Sequence, residues 1–289
     1  TVASVAPSLG TPSFAGSQIK PTAVPLSLWT SISWNDAIVV FDGSTQAYLK
    51  GANLTGLQMQ GASFWGSVAD LGDVNLTKAV LDGTAFTNAK LNGATLQGVS
   101  ATRASFAGAD LTSAKLDQPQ GMTTTFDYTS FMRATLDNAT FNSSLIRAAN
   151  FTQASAHGST DFGNVKAAAA VFDRAHILGN PLAFRGAAFG PSDTFTKPVS
   201  FVSAVLGGNK NASTGISFES ADLAGANFAQ AQCIGCAFSD SDLTGVDFQE
   251  AYLEGATFVS TILTDTTFAN SQTSSGNGTW TFALGLAES

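Results

Sequence analysis

Apolar side chains recur at every fifth position in the C-terminal part of the chain. The series consists of Phe218, Leu223, Phe228, Cys233, Phe238, Leu243, Phe248, Leu253, Phe258, Leu263 and Phe268. Two positions before each of these central residues stands a side chain that is mostly small, for example Ala221 or Ala226. A period of five fits neither regular element, because apolar groups would march around a helix and would alternate between the faces of a flat strand. The chain must therefore turn once in every repeat.

A second and longer run with the same spacing precedes this one. It extends from Leu71 to Phe151 and lapses only at Ala101 and Gly121. If each unit forms one short side and one corner, the central residue and the small residue two positions before it both point inward. Four units of five residues then close a square coil of about 20 residues. Stacked at the inter-strand spacing of about 4.8 Å, such coils number about 11 and form a rod about 50 Å long.

A coil of about 20 residues brings every fourth central residue to the same side. The predicted stacks are Phe218 with Phe238 and Phe258, Leu223 with Leu243 and Leu263, Phe228 with Phe248 and Phe268, and Cys233 with Leu253. Aromatic stacks of this kind add roughly 0.5–1.5 kcal/mol per ring pair beyond burial. The sequence therefore predicts an all-β solenoid with these central residues as its structural core.

Several units share one motif, in which a small residue is followed by Asp or Asn and then by Leu or Phe. Examples are ANLTG (52–56), ADLTS (109–113), ANFTQ (149–153), ADLAG (221–225), ANFAQ (226–230) and SDLTG (241–245). This motif resembles that of the pentapeptide-repeat family, and the resemblance covers most of the chain. It implies a right-handed quadrilateral β-helix with non-repeat terminal segments, and it implies this fold far more securely than a function.

The chain divides into five segments at the breaks in the spacing and at the prolines. Proline marks such breaks because it cannot donate a hydrogen bond to a ladder of strands. The five segments are a non-repeat N-terminal segment (1–50), a repeat region (51–177), a loop-rich interruption (178–217), a regular repeat region (218–270) and a C-terminal strand (271–289). We interpret the interruption as a packed bypass of the rod, in preference to a functional loop. A β-helix exposes its last coil at each end, so each terminal segment is either a cap or a strand that pairs with a neighbouring molecule.

Charged residues make up only 12% of the chain and are unevenly distributed. Residues 1–210 carry all 13 Lys and Arg residues together with 12 acidic ones, whereas residues 211–289 carry 9 acidic residues and no Lys or Arg. The basic residues are scattered singly, which argues against nucleic-acid binding because phosphate contacts need clustered Lys or Arg. No run approaches the roughly 18 consecutive apolar residues of a membrane-spanning helix, so membrane insertion is not expected.

Residues that could carry catalysis are few. His157 and His176 lie nearly one coil apart, but the pattern gives them no partnered nucleophile. We expect both to be surface histidines, and we expect no catalytic residue and no cofactor. Cys233 and Cys236 have the spacing of a redox motif, yet both fall at inward positions, where a cysteine behaves as a small hydrophobic residue.

Three carboxylates in the regular repeat region are close together in this register. Asp222 and Asp242 stack one coil apart, with Asp240 near the same corner. Like charges at such a distance are unfavourable unless they are screened or bridged, so a calcium ion is one interpretation. Solvated surface carboxylates are the preferred interpretation, and no metal ligand is predicted.

These features predict a non-enzymatic structural protein of the cell exterior that associates with itself. Low charge and abundant Ser, Thr, Asn and Gly suit a secreted protein whose mature N-terminus is Thr1. The acidic back end and the less acidic front end favour head-to-tail contact, and such a contact makes a filament or surface array when it does not close. The alternative, implied by the family resemblance, is an intracellular binding module of the DNA-mimic, topoisomerase-interacting kind. Its weakness is that the acidic residues fall on all four predicted sides, whereas a DNA mimic needs one long acidic face.

Overall fold

The chain winds around one axis, and each turn pairs in parallel with the turn before it. The computed structural model describes residues 13–14, 16–41, 44–45, 48–66, 69–179, 183–192, 194–207 and 215–272. The strands are short: β1 (Gln18–Ile19), β2 (Ile38–Phe41), β3 (Ser63–Gly66), β4 (Ser155–Ala156), β5 (His176–Ile177) and β6 (Val205–Leu206). A 3₁₀ helix (Pro21–Ala23) and α1 (Leu26–Trp29) precede β2. Within these ranges, neither helix has the length and apolar character that crossing a membrane requires.

Parallel pairing gives the coil four walls. The strands form two sheets, in the orders β1-β2-β3 and β4-β5-β6, and single-residue parallel bridges continue the pairing elsewhere. The bridges fall into four columns, which we name walls A to D in the order in which the chain visits them. In the last coils wall A carries Asp222 and Asp242, wall B carries Asn227 and Asp247, wall C carries Gln232 and Tyr252, and wall D carries Ala237 and Thr257. The predicted all-β solenoid is therefore present.

One turn of the coil takes 20 residues where the repeat is regular and more where the chain bulges outward. Asp222 pairs with Asp242 one turn later, whereas Ser100 pairs with Thr125 and Ala188 pairs with Asp222. The lapse of the repeat at Gly121 falls in the first of these longer turns. After each longer turn the chain rejoins the same wall, so the columns of bridges continue along the rod.

The motif encodes a tight turn at each corner. The residue two positions after the central residue has a positive φ, as at Gly225 (70°) and Asp240 (58°). The backbone N–H of the next small residue donates to the carbonyl of the central residue, which closes the turn in the manner of a β-turn. An Asp or Asn before the central residue accepts a hydrogen bond from the backbone two residues later, as Asp242 does from the N–H of Thr244 at 2.9 Å. These two requirements explain the Asp/Asn position and the frequent Gly at the end of the unit.

Two ladders of phenylalanine rings fill the interior. The ladder behind wall B comprises Phe41, Phe64, Phe86, Phe106, Phe131, Phe151, Phe172, Phe201, Phe228, Phe248 and Phe268, with successive ring centroids 4.7–5.8 Å apart. The ladder behind wall D comprises Phe141, Phe162, Phe184, Phe218, Phe238 and Phe258, at 4.9–5.2 Å. Rings from the two ladders meet edge to face, which is a favoured geometry for aromatic pairs.

The central residues of the regular repeat region lie in this interior. Buried among the ladders and the aliphatic stacks of walls A and C are Phe218, Leu223, Phe228, Cys233, Phe238, Leu243, Phe248, Leu253, Phe258 and Leu263. Phe268 packs against the same core but is half-buried, because it lies in the last described coil.

The described part of the N-terminal segment (1–50) continues the coil. Strand β2 pairs with β1 on one side and with β3 on the other, so both of its edges are used within its own chain. Trp29 and Trp34 are fully buried, and their rings stack at 3.9 Å. Both rings belong to the hydrophobic core that continues along the described coil. Thr1 lies outside the described residues, as does the predicted C-terminal strand (271–289) after residue 272.

The described part of the interruption (178–217) also contributes to the rod. Phe184 and Phe201 belong to the two ladders, and Phe189 and Leu206 are buried with them. The described residues of the segment therefore keep the interior continuous.

Candidate functional site

A serine and an aspartate contact His157 at the corner that follows wall C. The Nδ1 atom of His157 is 3.0 Å from the Oγ of Ser155 and 2.9 Å from the Oδ1 of Asp137. The backbone N–H of His157 donates to the same carboxylate oxygen at 2.9 Å. A hydrolytic triad needs the serine and the carboxylate on opposite nitrogens of the ring. Here both groups contact Nδ1, so the cluster orients the ring at the corner and does not activate Ser155.

The second histidine lies on wall C in the next coil. His176 pairs with Ser155 and is exposed. In the part of the chain that the structure describes, no group of three or more His, Cys, Asp or Glu residues is arranged to hold a metal ion. The two histidines therefore lie in successive coils, and among the described residues they belong to no metal-holding group.

The two cysteines are both buried and free. Cys233 lies in the stack behind wall C, and the thiol of Cys236 points to the carbonyl oxygen of Leu206 at 3.7 Å. Burial, with a smaller contribution from Cys236, raises the pKa of the Cys233 thiol well above its ordinary value. Because the thiolate is the reactive form, a thiol kept protonated in this way is a poor nucleophile. The redox spacing therefore carries no reactive group.

Asp222 and Asp242, two of the three carboxylates of the possible calcium site, accept hydrogen bonds from the backbone. Asp222 accepts a hydrogen bond from the N–H of Ala224 at 3.2 Å, and Asp242 accepts one from Thr244 at 2.9 Å. Asp222 and Asp242 are adjacent on wall A, and among the described residues they form no metal-holding group with Asp240. The geometry thus favours surface carboxylates that cap the corner turns.

Two adjoining clefts follow the corner between walls D and A. They have volumes of about 610 and 440 Å³ and share Thr140, Asn142 and Asp161 in their linings. Their polar groups largely bond to one another: Asp117 accepts hydrogen bonds from Gln97 at 2.8 Å and from Thr140 at 2.9 Å. Neither lining contains an aromatic ring. The clefts therefore offer a self-satisfied polar surface.

A third cleft lies at the corner between walls B and C, near the acidic end of the rod. It has a volume of about 490 Å³ and is lined by Gln230, Glu250, Tyr252, Asn270 and Gln272. One oxygen of Glu250 accepts a hydrogen bond from Gln230 at 3.0 Å, and Tyr252 is 43% exposed. Since residues 211–289 contain no Lys or Arg, this lining combines a carboxylate, amide oxygens and an aromatic face without a local cation.

Four of the arginines that are scattered along the sequence gather around wall B. They are Arg103 and Arg147 at the corner before the wall and Arg133 and Arg174 at the corner after it. Asp127 accepts hydrogen bonds from Arg147, and this contact raises the pKa of the Arg147 guanidinium. The guanidinium of Arg103 lies over the ring of Tyr128, 5.3 Å from the ring centroid.

Sequence reasoning missed this grouping, although a signal for part of it exists. Arg133 and Arg174 each follow a phenylalanine of the wall B ladder by two residues, at Phe131 and Phe172, which are two coils apart. If the count of coils is continued across the turns that contain more than 20 residues, both arginines fall at the same corner.

Comparison with known proteins agrees with the geometry. The family model for pentapeptide repeats (8 copies) matches residues 69–105, 81–118, 221–259 and 231–271. No curated protein matches the chain.

Several solved structures are similar to the chain. HetL, a pentapeptide repeat protein involved in heterocyst differentiation regulation from the cyanobacterium Nostoc sp. strain PCC 7120, is 21% identical, with 85% of this chain and 91% of that chain covered and a TM-score of 0.48. A trypsin-treated form of QnrB1, a plasmid-mediated fluoroquinolone resistance protein, is 10% identical, with 92% and 91% covered and a TM-score of 0.30. A pentapeptide repeat protein of the Arabidopsis thaliana thylakoid lumen is 23% identical, with 50% and 59% covered and a TM-score of 0.18.

Proposed function

Since this chain is a pentapeptide-repeat protein, we propose that it is a non-enzymatic structural β-helix that works by associating with other copies of itself. The observation that carries the proposal is the uneven charge of the rod, with all Lys and Arg residues before residue 211 and nine acidic residues after it. The interior is occupied by stacked side chains, so the walls, the corners and the ends are the surfaces on which the protein acts. The coil is right-handed in this proposal and comprises about 11 turns at the usual strand spacing.

End-to-end stacking is the mode of association that the charge distribution favours. The last coils carry acidic residues without any Lys or Arg, whereas all basic residues precede residue 211. Contacts between unlike ends of a rod do not close and so extend into filaments. Because β2 is paired on both edges within its own chain, it is not the strand that supplies the contact at the front.

Electron microscopy of the full chain tests this function. We expect ordered chains or filaments that lengthen with protein concentration and shorten in high salt, since exposed charges are screened. A His157→Ala variant should assemble equally well, because the histidine cluster has no part in the contact. A protein that stays monomeric at every concentration contradicts the proposal.

We place the protein at the cell exterior, on the strength of its low charge and its polar, small-residue composition. The test is the reading frame that precedes the codon for Thr1 in the genome. A secretion signal there supports an exterior location, and an additional folded domain without such a signal contradicts it.

The alternative is a binding module that occupies the DNA site of a type II topoisomerase. Its acidic groups are distributed around the rod: Asp242 lies on wall A, Asp247 on wall B and Glu250 at the corner between walls B and C. A supercoiling assay separates the two functions. Inhibition of the topoisomerase by the pure protein supports the alternative, and unchanged supercoiling supports the structural protein.

A further inference from the structure

One corner of the rod presents a row of polar side chains, one from each coil. The corner between walls B and C carries residues with positive φ in the order Arg133, Gln153, Arg174, Ser203, Gln230, Glu250 and Asn270. Backbone hydrogen bonds join each coil to the next at this corner, for example from the N–H of Arg174 to Val202 (2.9 Å) and from that of Glu250 to Ala269 (2.8 Å). Successive members are therefore about 4.8 Å apart along the axis. We call these seven residues the B/C row.

The cleft at the acidic end of the row has the chemistry of a guanidinium site. Glu250 supplies a carboxylate whose two oxygens accept one hydrogen bond each, from Gln230 at 3.0 Å and from Gln249 at 3.5 Å, and each oxygen has a second acceptor position. Tyr252 supplies a partly exposed ring beside it. Arginine pairs with a carboxylate through two parallel hydrogen bonds and stacks on aromatic faces, which lysine does less well. An arginine side chain is therefore the group that this cleft fits.

A suitable arginine lies on the same row. Arg174 is exposed, and among the described residues no ion pair engages its guanidinium. It precedes Glu250 by three steps of the row, about 14 Å along the axis. Within one molecule the two groups cannot meet across this distance, so they are available to another copy.

We propose that the B/C row is the interface of an antiparallel homodimer in which Arg174 of each copy enters the Glu250 cleft of the other. A twofold axis that crosses the row between Ser203 and Gln230 sets these two residues opposite each other. The same axis sets Arg174 opposite Glu250 and Gln153 opposite Asn270. The Arg174–Glu250 pair joins a donor to an acceptor, and symmetry forms it twice. Ser203 and Gln230 already bond to each other within one chain, at 3.2 Å, so the two ion pairs carry the contact.

A parallel arrangement of the same row is unfavourable. A twofold axis along the rod would set Arg174 of one copy against Arg174 of the other and Glu250 against Glu250, and like charges that face each other weaken an interface. The antiparallel contact also leaves both ends of the rod open, so it is compatible with stacking end to end. The inference rests on the proposed self-association and names a lateral surface for it.

Sedimentation velocity of the full chain over a range of concentrations tests the interface. The native protein should form a dimer at low salt that weakens at high salt, because exposed ion pairs are screened. Arg174→Glu should raise the dimer dissociation constant at least about tenfold, and Glu250→Arg should do the same, since each creates facing like charges. An equal mixture of the two variants should restore the dimer, as should both substitutions in one chain, because either arrangement recreates the two ion pairs.

Arg103→Glu is the matched control. Arg103 is also an exposed arginine with a positive φ, but it lies at the corner on the other side of wall B. This variant should associate like the native protein, and circular dichroism should show that all variants keep the native fold. A dimer that Arg174→Glu leaves intact overturns the B/C row and leaves self-association standing. A chain that is monomeric at every concentration overturns both, and equal weakening by Arg103→Glu overturns the assignment to this corner.

Discussion

Truncation of one ring in the middle of a ladder should destabilise the rod more than truncation at its last described coil. Phe238 is fully buried in the wall D ladder. Its ring stacks between Phe218 at 5.1 Å and Phe258 at 5.2 Å. It also meets Phe228 and Phe248 edge to face, at 5.7 and 5.4 Å. The substitution Phe238→Ala removes all four ring contacts and leaves a cavity.

The expected cost follows from burial and from the ring pairs. A fully buried Phe→Ala change typically lowers the free energy of unfolding by about 3–5 kcal/mol, so we expect about 4 kcal/mol for Phe238. Phe268 is half-buried, so the apolar area that Phe268→Ala returns to water is smaller, and we expect a loss of about 2 kcal/mol. The expected difference between the two losses is about 2 kcal/mol, because Phe238 is fully buried between neighbouring rings whereas Phe268 is half-buried.

Urea denaturation followed by circular dichroism measures both losses in the full chain. The two variants should show the β-rich spectrum of the native protein before denaturation. The stability of a repeat protein is approximately a sum of local and nearest-neighbour contributions, so the transition in the last coils reports on both sites. A loss at Phe238 that equals or falls below the loss at Phe268 would refute the stacked interior.

Three further outcomes are expected. Phe238→Asp should unfold or aggregate the protein because it buries an unpaired charge, whereas Thr244→Asp, at an outward position, should be tolerated; soluble yield and the thermal midpoint decide between these results. Ala148 has a φ of 52°, which strains a residue with a Cβ atom, so Ala148→Gly should stabilise the fold by about 0.4–1 kcal/mol, while Ala149→Gly, at a buried site, should destabilise it. The pKa of the Cys233 thiol is raised in the folded protein. Its contribution to the free energy of unfolding is therefore complete below the unfolded pKa of about 8.5 and is lost as the pH rises towards the folded pKa. Urea midpoints should fall over that pH range, and less steeply in Cys233→Ala.

The period of the apolar residues could be read from the sequence because it depends on local geometry. A central Leu or Phe and a small residue two positions before it must both face inward, and this alone places Phe218 with Phe238 and Leu223 with Leu243. The preference for Asp or Asn at the position between them has an equally local cause, because Asp242 accepts a hydrogen bond from a backbone group two residues away.

The longer turns could not be predicted, and with them the composition of the corners. Pairing of Ser100 with Thr125 and of Val171 with Ser200 depends on how many residues bulge outward, which no local pattern fixes. For this reason the arginines around wall B looked scattered, although Arg174 lies on the same row as Glu250. The sequence does not decide between a cap and an assembly strand for the N-terminal segment, because its apolar residues do not reveal their partners. The parallel pairing of β2 depends on contacts far away in the sequence.

A distance measurement between outward positions of wall B tests the stacked coil most directly. Spin labels at cysteines introduced by Ser105→Cys and Asp247→Cys, with the labelled protein diluted in unlabelled protein, report their separation by pulsed electron paramagnetic resonance. Wall B runs from Ser105 through Ser130, Asn150, Val171, Ser200 and Asn227 to Asp247, so six strand spacings predict about 29 Å between these backbone sites. The pair Ser105→Cys and Ser200→Cys should give about 19 Å, four spacings, although the turns between them differ in length. Two narrow distributions that differ by about 10 Å are the result that a continuous four-walled coil predicts, and broad distributions or distances that follow the number of intervening residues would contradict it.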